Sequence, residues 1–296
     1  MRATGQGSFP SVSVRTEALA GTESIRVRPR DPDIGETSAM EQARSFDRIA
    51  GLYRQARRGY PAALYDDLAE LAGLGPDCRV LEVGCGTGQA TVDLAARALS
   101  VLAVDPGGQL IAEAQAQTQG IANIDYRVFR FEDLAAAKGG FDLVASAQAW
   151  HWVDPAIGLP KAAEALRPGG SFAIFGHVPM ALPEPFNSTF RPIVDHYWPG
   201  VWGAPPSQAA YLPTGPFAGM IHDSGLFDPV THRAYAWTWN LDPDLFGRYM
   251  RTDSSYHGLE ETRRFAMFDA MAQAIADHGG VLHAPWETHL YIAPKP

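Results

Sequence analysis

The chain has 296 residues, 46% of them hydrophobic and 19% charged, and a net charge of −9. A chain of this size buries a full core unaided, and its acidic balance leaves no electrostatic footprint for DNA or RNA. Two cysteines, Cys78 and Cys85, are too few for a disulfide framework and point to a reducing, cytoplasmic home; no apolar run reaches the ~20 residues that a bilayer span needs.

Residues 1–40 are rich in Ser, Thr, Gly and Pro and lack helical period, so they read as a disordered extension or as translation upstream of a start at Met40. From residue 41 a single domain is expected: a helical lid over 41–75, a ligand-binding core over 76–177, a cap inserted over 178–228, and strands and helices completing sheet and cap over 229–296. In the lid, Phe46, Ile49 and Tyr53 share a helical face, Pro61 opens a second helix, and Gly73 with Gly75-Pro76 stops it. Strands follow at 79–84, 100–105, 124–130, 141–147 and 170–176, with helices predicted over 89–98, 108–117 and 157–166. Strands that are apolar without alternation, each followed by a helix, imply a parallel sheet covered on both faces. Residues 178–228 show no clear period, and the aromatics dense over 178–257, Trp239 and Tyr249 among them, either wall a pocket or fill a core. A strand at 231–241, helices at 243–251 and 259–278, and a last strand at 287–294 complete a seven-stranded, mostly parallel, Rossmann-like α/β fold.

The turn Gly84-Cys85-Gly86-Thr87-Gly88 joins the first strand to a helix. Glycine permits positive φ and close approach of a ligand, and free N–H groups at the following helix would favour an anion. Asp105, ending the second strand, is placed to accept ribose hydroxyls or to cap the next helix. A dinucleotide fingerprint requires a third glycine at position 89, where Gln89 stands. Glu82 lies two residues before Gly84, where a pyrophosphate gains nothing from negative charge. An acid there suits a cofactor with a cationic amino group, such as S-adenosylmethionine.

With those residues in place, the segment "VLEVGCGTG" resembles motif I of class I S-adenosylmethionine-dependent methyltransferases. "VLAVD" (101–105), "FRFEDL" (129–134) and "LRPGGSF" (166–172) resemble that family's further motifs in order. "FDRIAGLYRQARRGYP" (46–61) resembles a lead-in close to Y-x-x-x-R-P-x-Y-P, matched at Tyr53, Arg57, Tyr60 and Pro61, with Arg58 replacing the first proline. "AQAWHWVD" (147–154) and "TDSSYHGL" (252–259) extend the likeness to small-molecule methyltransferases of the trans-aconitate and ubiquinone-pathway type.

The resemblance implies a cofactor, S-adenosyl-L-methionine, leaving as S-adenosyl-L-homocysteine, and a small-molecule acceptor, with carboxylate or phenol oxygen favoured and carbon or nitrogen open; charge and hydropathy give no reason to expect a nucleic-acid or membrane partner. It implies that Gly84 and Gly86 touch the methionine part and that Glu82 faces its amino group. Asp105 and Pro106 would lie by the ribose, Leu110 and Phe131 by the adenine, and Glu132 or Asp133 at the adenine edge, Asp133 reading better as a solvated acid. Tyr53 and Arg57 would close over the methionine end, Arg57 as a bidentate fork to the carboxylate, and Gln148 would border the site. His151 is the candidate base, or else it bonds a backbone carbonyl. Trp150 is read toward the pocket and Trp152 as a wedge between helix and sheet. Gly88 is read as packing. The scattered histidines show no metal-ligand spacing, so no metal is expected. A non-catalytic cofactor-binding module and a nicotinamide oxidoreductase are the competing readings.

Overall fold

A computed structural model describes residues 46–134, 139–203, 207–253, 256 and 258–296; the expectations for 1–40, for the start of the lid at 41–45, and for Ser254, Ser255 and His257 of the 252–259 segment lie outside them. One sheet of seven strands organises the molecule: β1 Arg79–Val83, β2 Ser100–Asp105, β3 Ile124–Val128, β4 Phe141–Ala147, β5 Leu166–Pro179, β6 Thr231–Leu241 and β7 Leu282–Pro294. Their order is β3-β2-β1-β4-β5-β7-β6. The first five pair in parallel, β7 runs antiparallel to β5, and β6 antiparallel to β7. The order reverses between β1 and β4, and ligands of open α/β sheets collect beyond the carboxyl ends of strands at such a point.

Alternate residues of each strand feed two cores. On one face Val80, Leu143 and Phe175 meet Leu64, Tyr65 and Leu68 of helix α2 (Ala62–Ala72) and Leu94 of α3 (Thr91–Ala95). On the other, Leu81, Val144 and Phe172 meet Leu159 and Ala162 of α5 (Pro155–Ala165). Thus α2 is a sheet-covering helix, stopped at Gly73 in the left-handed conformation that glycine allows. The covering role over the site falls to α1 (Ala50–Ala56) and the residues before it. Helix α4 (Gly108–Gln117) lies between β2 and β3 in sequence.

Among the described residues the aperiodic stretch holds two α-helices that its prolines hide. Helix α6 (Phe186–Tyr197) carries Pro192 within it, yet Phe186, Phe190 and Val194 recur every four residues and are buried. Helix α7 (Phe217–Asp223) packs on the main sheet through Phe217 and Ile221. A third core unites α6, α8 (Pro243–Arg251), α9 (Glu261–Asp277) and the distal ends of β6 and β7, with Trp239, Phe246, Phe268 and Trp286 inside it. β5 and β7 are longer than the sequence suggests, and their extra length builds one wall of the site described next. Among the described residues no helix is long and apolar enough to cross a membrane.

Candidate active site

Each residue assigned above to the cofactor, together with His151, lines one cavity at the carboxyl ends of β1, β2 and β4. Gly84, at φ +71, brings the turn so close to the β4 exit that a Cβ there would sit 2.3 Å from that of Ala149. Gly88, at φ +87, packs on Ala114 and stays outside the lining. The turn's amides are already used. Gly84 and Cys85 N–H donate to the Val104 carbonyl at 2.8 and 3.1 Å, Gly86 N–H to Asp105 Oδ2 at 3.0 Å, and Gly88 N–H to the Cys85 carbonyl at 3.0 Å. These four amides therefore do not form the free anion-binding set expected from the sequence.

Asp105 takes one N–H on each oxygen, Gly107 donating to Oδ1 at 2.8 Å. Each oxygen keeps a lone pair for a further donor. Burial lifts its pKa to about 6 against the pull of those two amides. It does not cap α4. That task falls to Asp47, whose Oδ1 accepts Gln109 N–H at 2.6 Å and Leu110 N–H at 3.1 Å. The acid from the lid satisfies the helix terminus that Gly107 lacks a side chain to cap. Leu110 and Pro106 consequently line the cavity from beneath a docked lid.

Glu82 is the most unusual group in the site. Its side chain is fully buried, and neither carboxylate oxygen has a hydrogen-bond partner among the described residues. Burial pushes its pKa up to about 8, with the Asp105 charge adding and the nearby Thr91 hydroxyl opposing. A buried, orphaned carboxyl is costly unless a donor or cation meets it.

At the opposite wall, Glu132 pairs with Arg130 at 3.4 Å and accepts Asp154 N–H at 3.3 Å, whereas Asp133 is exposed. Two expectations are reversed. Trp150 is 1% exposed, wedged among Phe131, Phe172 and Gly158, where a Cβ would strike its ring at 3.1 Å. Trp152 instead lines the cavity and meets Phe46 of the lid edge-on at 6.4 Å. Arg57 also departs from its expected role. Its Nε and Nη2 edge donates to Thr252 Oγ1 at 3.0 Å and the Thr252 carbonyl at 2.7 Å, at the C-terminus of α8. That edge is no longer a free fork, and a cation at a helix C-terminus is well placed. Its guanidinium also lies over the Tyr53 and Tyr249 rings, joining lid to cap.

His151 Nδ1 lies 3.3 Å from the buried Tyr211 hydroxyl. For Nε2 to take a proton, Nδ1 must carry its own and donate it to that hydroxyl. Gln148 is strained, a non-glycine residue at φ 56. Side chain and backbone both hold it: His177 N–H donates to Gln148 Oε1 at 2.6 Å, and the Gln148 backbone N–H donates to the Phe175 carbonyl at 2.8 Å.

Two wall residues, His177 and Trp286, escaped the sequence reading. His177 stacks on Tyr60 at 4.4 Å, and burial drives its pKa down to about 3, so it stays neutral. Its Nδ1 lies 2.8 Å from Thr288 Oγ1. Trp239, Tyr249 and Trp286 close the cap side. The density of aromatics in the cap was visible in the sequence, but not which of them face the cavity.

Comparison with known proteins places the chain among methyltransferases. Residues 81–174 match a family described as a methyltransferase domain. An uncharacterized methyltransferase of Mycobacterium tuberculosis is 36% identical over 138 residues, 46% of this chain and 54% of the relative. The chain thus spans about half the length of that relative. A ubiquinone biosynthesis O-methyltransferase of Cereibacter sphaeroides is 30% identical over 183 residues, 58% of this chain and 71% of the relative. Among solved structures, a protein provisionally described as a type II methyltransferase from Anaeromyxobacter dehalogenans shares the fold at TM-score 0.53 and 23% identity, over 81% of this chain and 97% of that one. The cyclase SpnF shares it at TM-score 0.52 and 14% identity, over 87% and 97%. Those two likenesses speak to the fold alone.

Proposed function

The chain belongs to the class I methyltransferase family, and we propose on that footing that it transfers a methyl group from S-adenosylmethionine to a small-molecule acceptor, with carboxylate or phenol oxygen favoured. The observation that carries the cofactor assignment is Glu82, a buried carboxyl with two orphaned oxygens on the wall of the cavity. An amino acid ammonium satisfies such a group; a pyrophosphate does not. Asp105 retains acceptor capacity for ribose hydroxyls, and Leu110 and Phe131 offer apolar surface to an adenine. Gln89, standing where a dinucleotide fold needs glycine, argues in the same direction.

When bound, S-adenosylmethionine supplies a methyl already activated on a cationic sulfur, the bonding pair staying on sulfur as the new bond to the acceptor forms. The protein's own task is alignment and exclusion of water. Asp47 docks the lid on α4, and Arg57 fastens the lid to α8, so Tyr53 and Trp152 are held over the cavity. A carboxylate acceptor needs no base. For a phenol, His151 takes the proton at Nε2, with Tyr211 fixing the tautomer. Calorimetric titration with S-adenosylmethionine tests the first step. Binding by the intact protein and its loss in Asp105→Ala are expected; no binding, or undiminished binding by the variant, would sink the assignment.

A further inference from the structure

Resting on the methyl-donor reading, we propose that Arg58 is the residue that binds the α-carboxylate of S-adenosylmethionine, a task that the sequence pattern gives to Arg57. The amino acid end of that ligand carries two charges. Glu82 answers the ammonium and leaves the carboxylate without a partner. A carboxylate taken out of water needs donors or a cation. The glycine turn offers none from Gly84, Cys85, Gly86 or Gly88, whose amides are already engaged within the protein.

Among the described residues, three arginines line the cavity: Arg57, Arg58 and Arg130. The Nε and Nη2 edge of Arg57 is engaged by Thr252. Arg130 follows β3 and pairs with Glu132 at 3.4 Å, on the wall that the resemblance gives to the adenine. His177, the basic group nearest the lid backbone, is kept neutral by burial. Arg58 differs from all of these. It is exposed, and its guanidinium has no hydrogen-bond or ion-pair partner among the described residues.

The backbone sets that guanidinium over the methionine end. The chain leaves α1 at Arg57 in extended form, φ −105 and ψ 139, so consecutive side chains diverge. Arg57 turns toward Thr252 and the Tyr249 ring at the end of α8. Gly59 runs against the glycine turn, where a Cβ would sit 3.8 Å from the Gln89 carbonyl oxygen. Tyr60 then stacks on His177 at 4.4 Å, at the end of β5. Arg58 is thus held between the turn and β5, with its head at the cavity mouth. It also stands where the resembling lead-in has proline, so the added cation follows directly on the arginine whose fork is engaged. Arg57 fastens lid to cap, and Arg58 takes the ligand. Glu82 and Arg58 together make a clamp for a zwitterion, which favours an amino acid end over a plain amine.

The test is calorimetric titration of the full chain with S-adenosylhomocysteine and with its decarboxylated analogue, which keeps the ammonium and lacks the carboxylate. The parent should bind S-adenosylhomocysteine at least about tenfold tighter, the value of a hydrogen bond to a charged group. Arg58→Ala and Arg58→Pro should each bring the two affinities to within about twofold, by weakening S-adenosylhomocysteine alone. Proline is accommodated, because Arg57 already has the extended backbone that a following proline requires. Glu82→Gln should weaken both ligands alike, since both carry the ammonium. The proposal is overturned if the parent binds both ligands equally, if its preference survives both Arg58 substitutions, or if those substitutions weaken the two ligands by the same factor, the mark of a structural role. A parent that binds neither ligand overturns the methyl-donor reading and the proposal with it. Binding of S-adenosylhomocysteine that is indifferent to Arg58 overturns the proposal alone.

Discussion

Glu82 offers the sharpest quantitative test of the cofactor assignment, because its protonation must change when an ammonium arrives. In the free protein its pKa of about 8 leaves it mostly protonated at neutral pH. If the ligand's ammonium binds the carboxylate, the apparent Kd carries the factor 1 + 10^(pKa − pH) for Glu82 and a second factor for the ligand's own α-amino group, which loses its proton at about pH 7.8; the product falls from roughly 34 at pH 6.5 to roughly 5 at pH 8 and turns up above that. Affinity should thus rise about sevenfold from pH 6.5 to pH 8 and then level off, and about 0.8 proton should leave per ligand bound at pH 7. Asp105, near 6, adds a factor of only about 1.3 at pH 6.5. Calorimetry in two buffers of different ionisation enthalpy reads both quantities. Glu82→Gln should bind weakly, release no proton and show no rise in affinity with pH. The sign for stability is opposite to that of a salt-bridged acid. A carboxyl whose folded pKa is raised binds more protons folded than unfolded, so stability falls as pH rises from about 4.5 to about 8. Unliganded Glu82→Gln should therefore melt above the parent at pH 8.5 and close to it at pH 5. A pH-independent Kd with no proton release, or a variant that binds as the parent does, would refute the pairing.

Gly84→Ala should lower stability by about 3 kcal/mol, from the collision with Ala149 plus left-handed strain, or roughly 8 °C in Tm by thermal melting. Gly86→Ala, with open space around it and only φ +55 to resist, should cost about 1 kcal/mol. Asp47→Ala should cost about 1 kcal/mol by uncapping α4, and limited proteolysis should then cut the lid faster than in the parent. His151→Gln should slow methylation of a phenol about a hundredfold while sparing a carboxylate acceptor, read as kcat for each. Equal losses on both would assign His151 to packing rather than to proton transfer.

What the sequence made legible is what lies close along the chain. The glycine turn, Glu82 and Asp105 sit at the ends of adjacent parallel strands, so strand identity alone brings them together. Asp47 had a faint signal: Gly107 has no side-chain oxygen for the first N–H groups of α4, which leaves them to an acceptor from elsewhere. The cap wall showed its density of aromatics but not which of them face the cavity, because that depends on register. Trp286 faces Trp237 on β6, and across more than a hundred residues of chain it faces Pro179 and Thr288 faces His177 on β5, all through the β5–β7–β6 antiparallel pairing. Within "WHW" the deciding residue is Gly158, whose missing side chain admits Trp150 and leaves Trp152 for the cavity. Arg57 was placed on the right wall, but its partner Thr252 belongs to the end of a helix 195 residues away.

Methyl transfer itself is tested most directly by incubating the protein with methyl-labelled S-adenosylmethionine and a panel of small acids and phenols. The assignment predicts label in one acceptor class, with S-adenosylhomocysteine formed in equal amount and only when that acceptor is present. Tight cofactor binding with no label transferred to any acceptor would make the chain a binding module, and an absence of cofactor binding would contradict the assignment at its root.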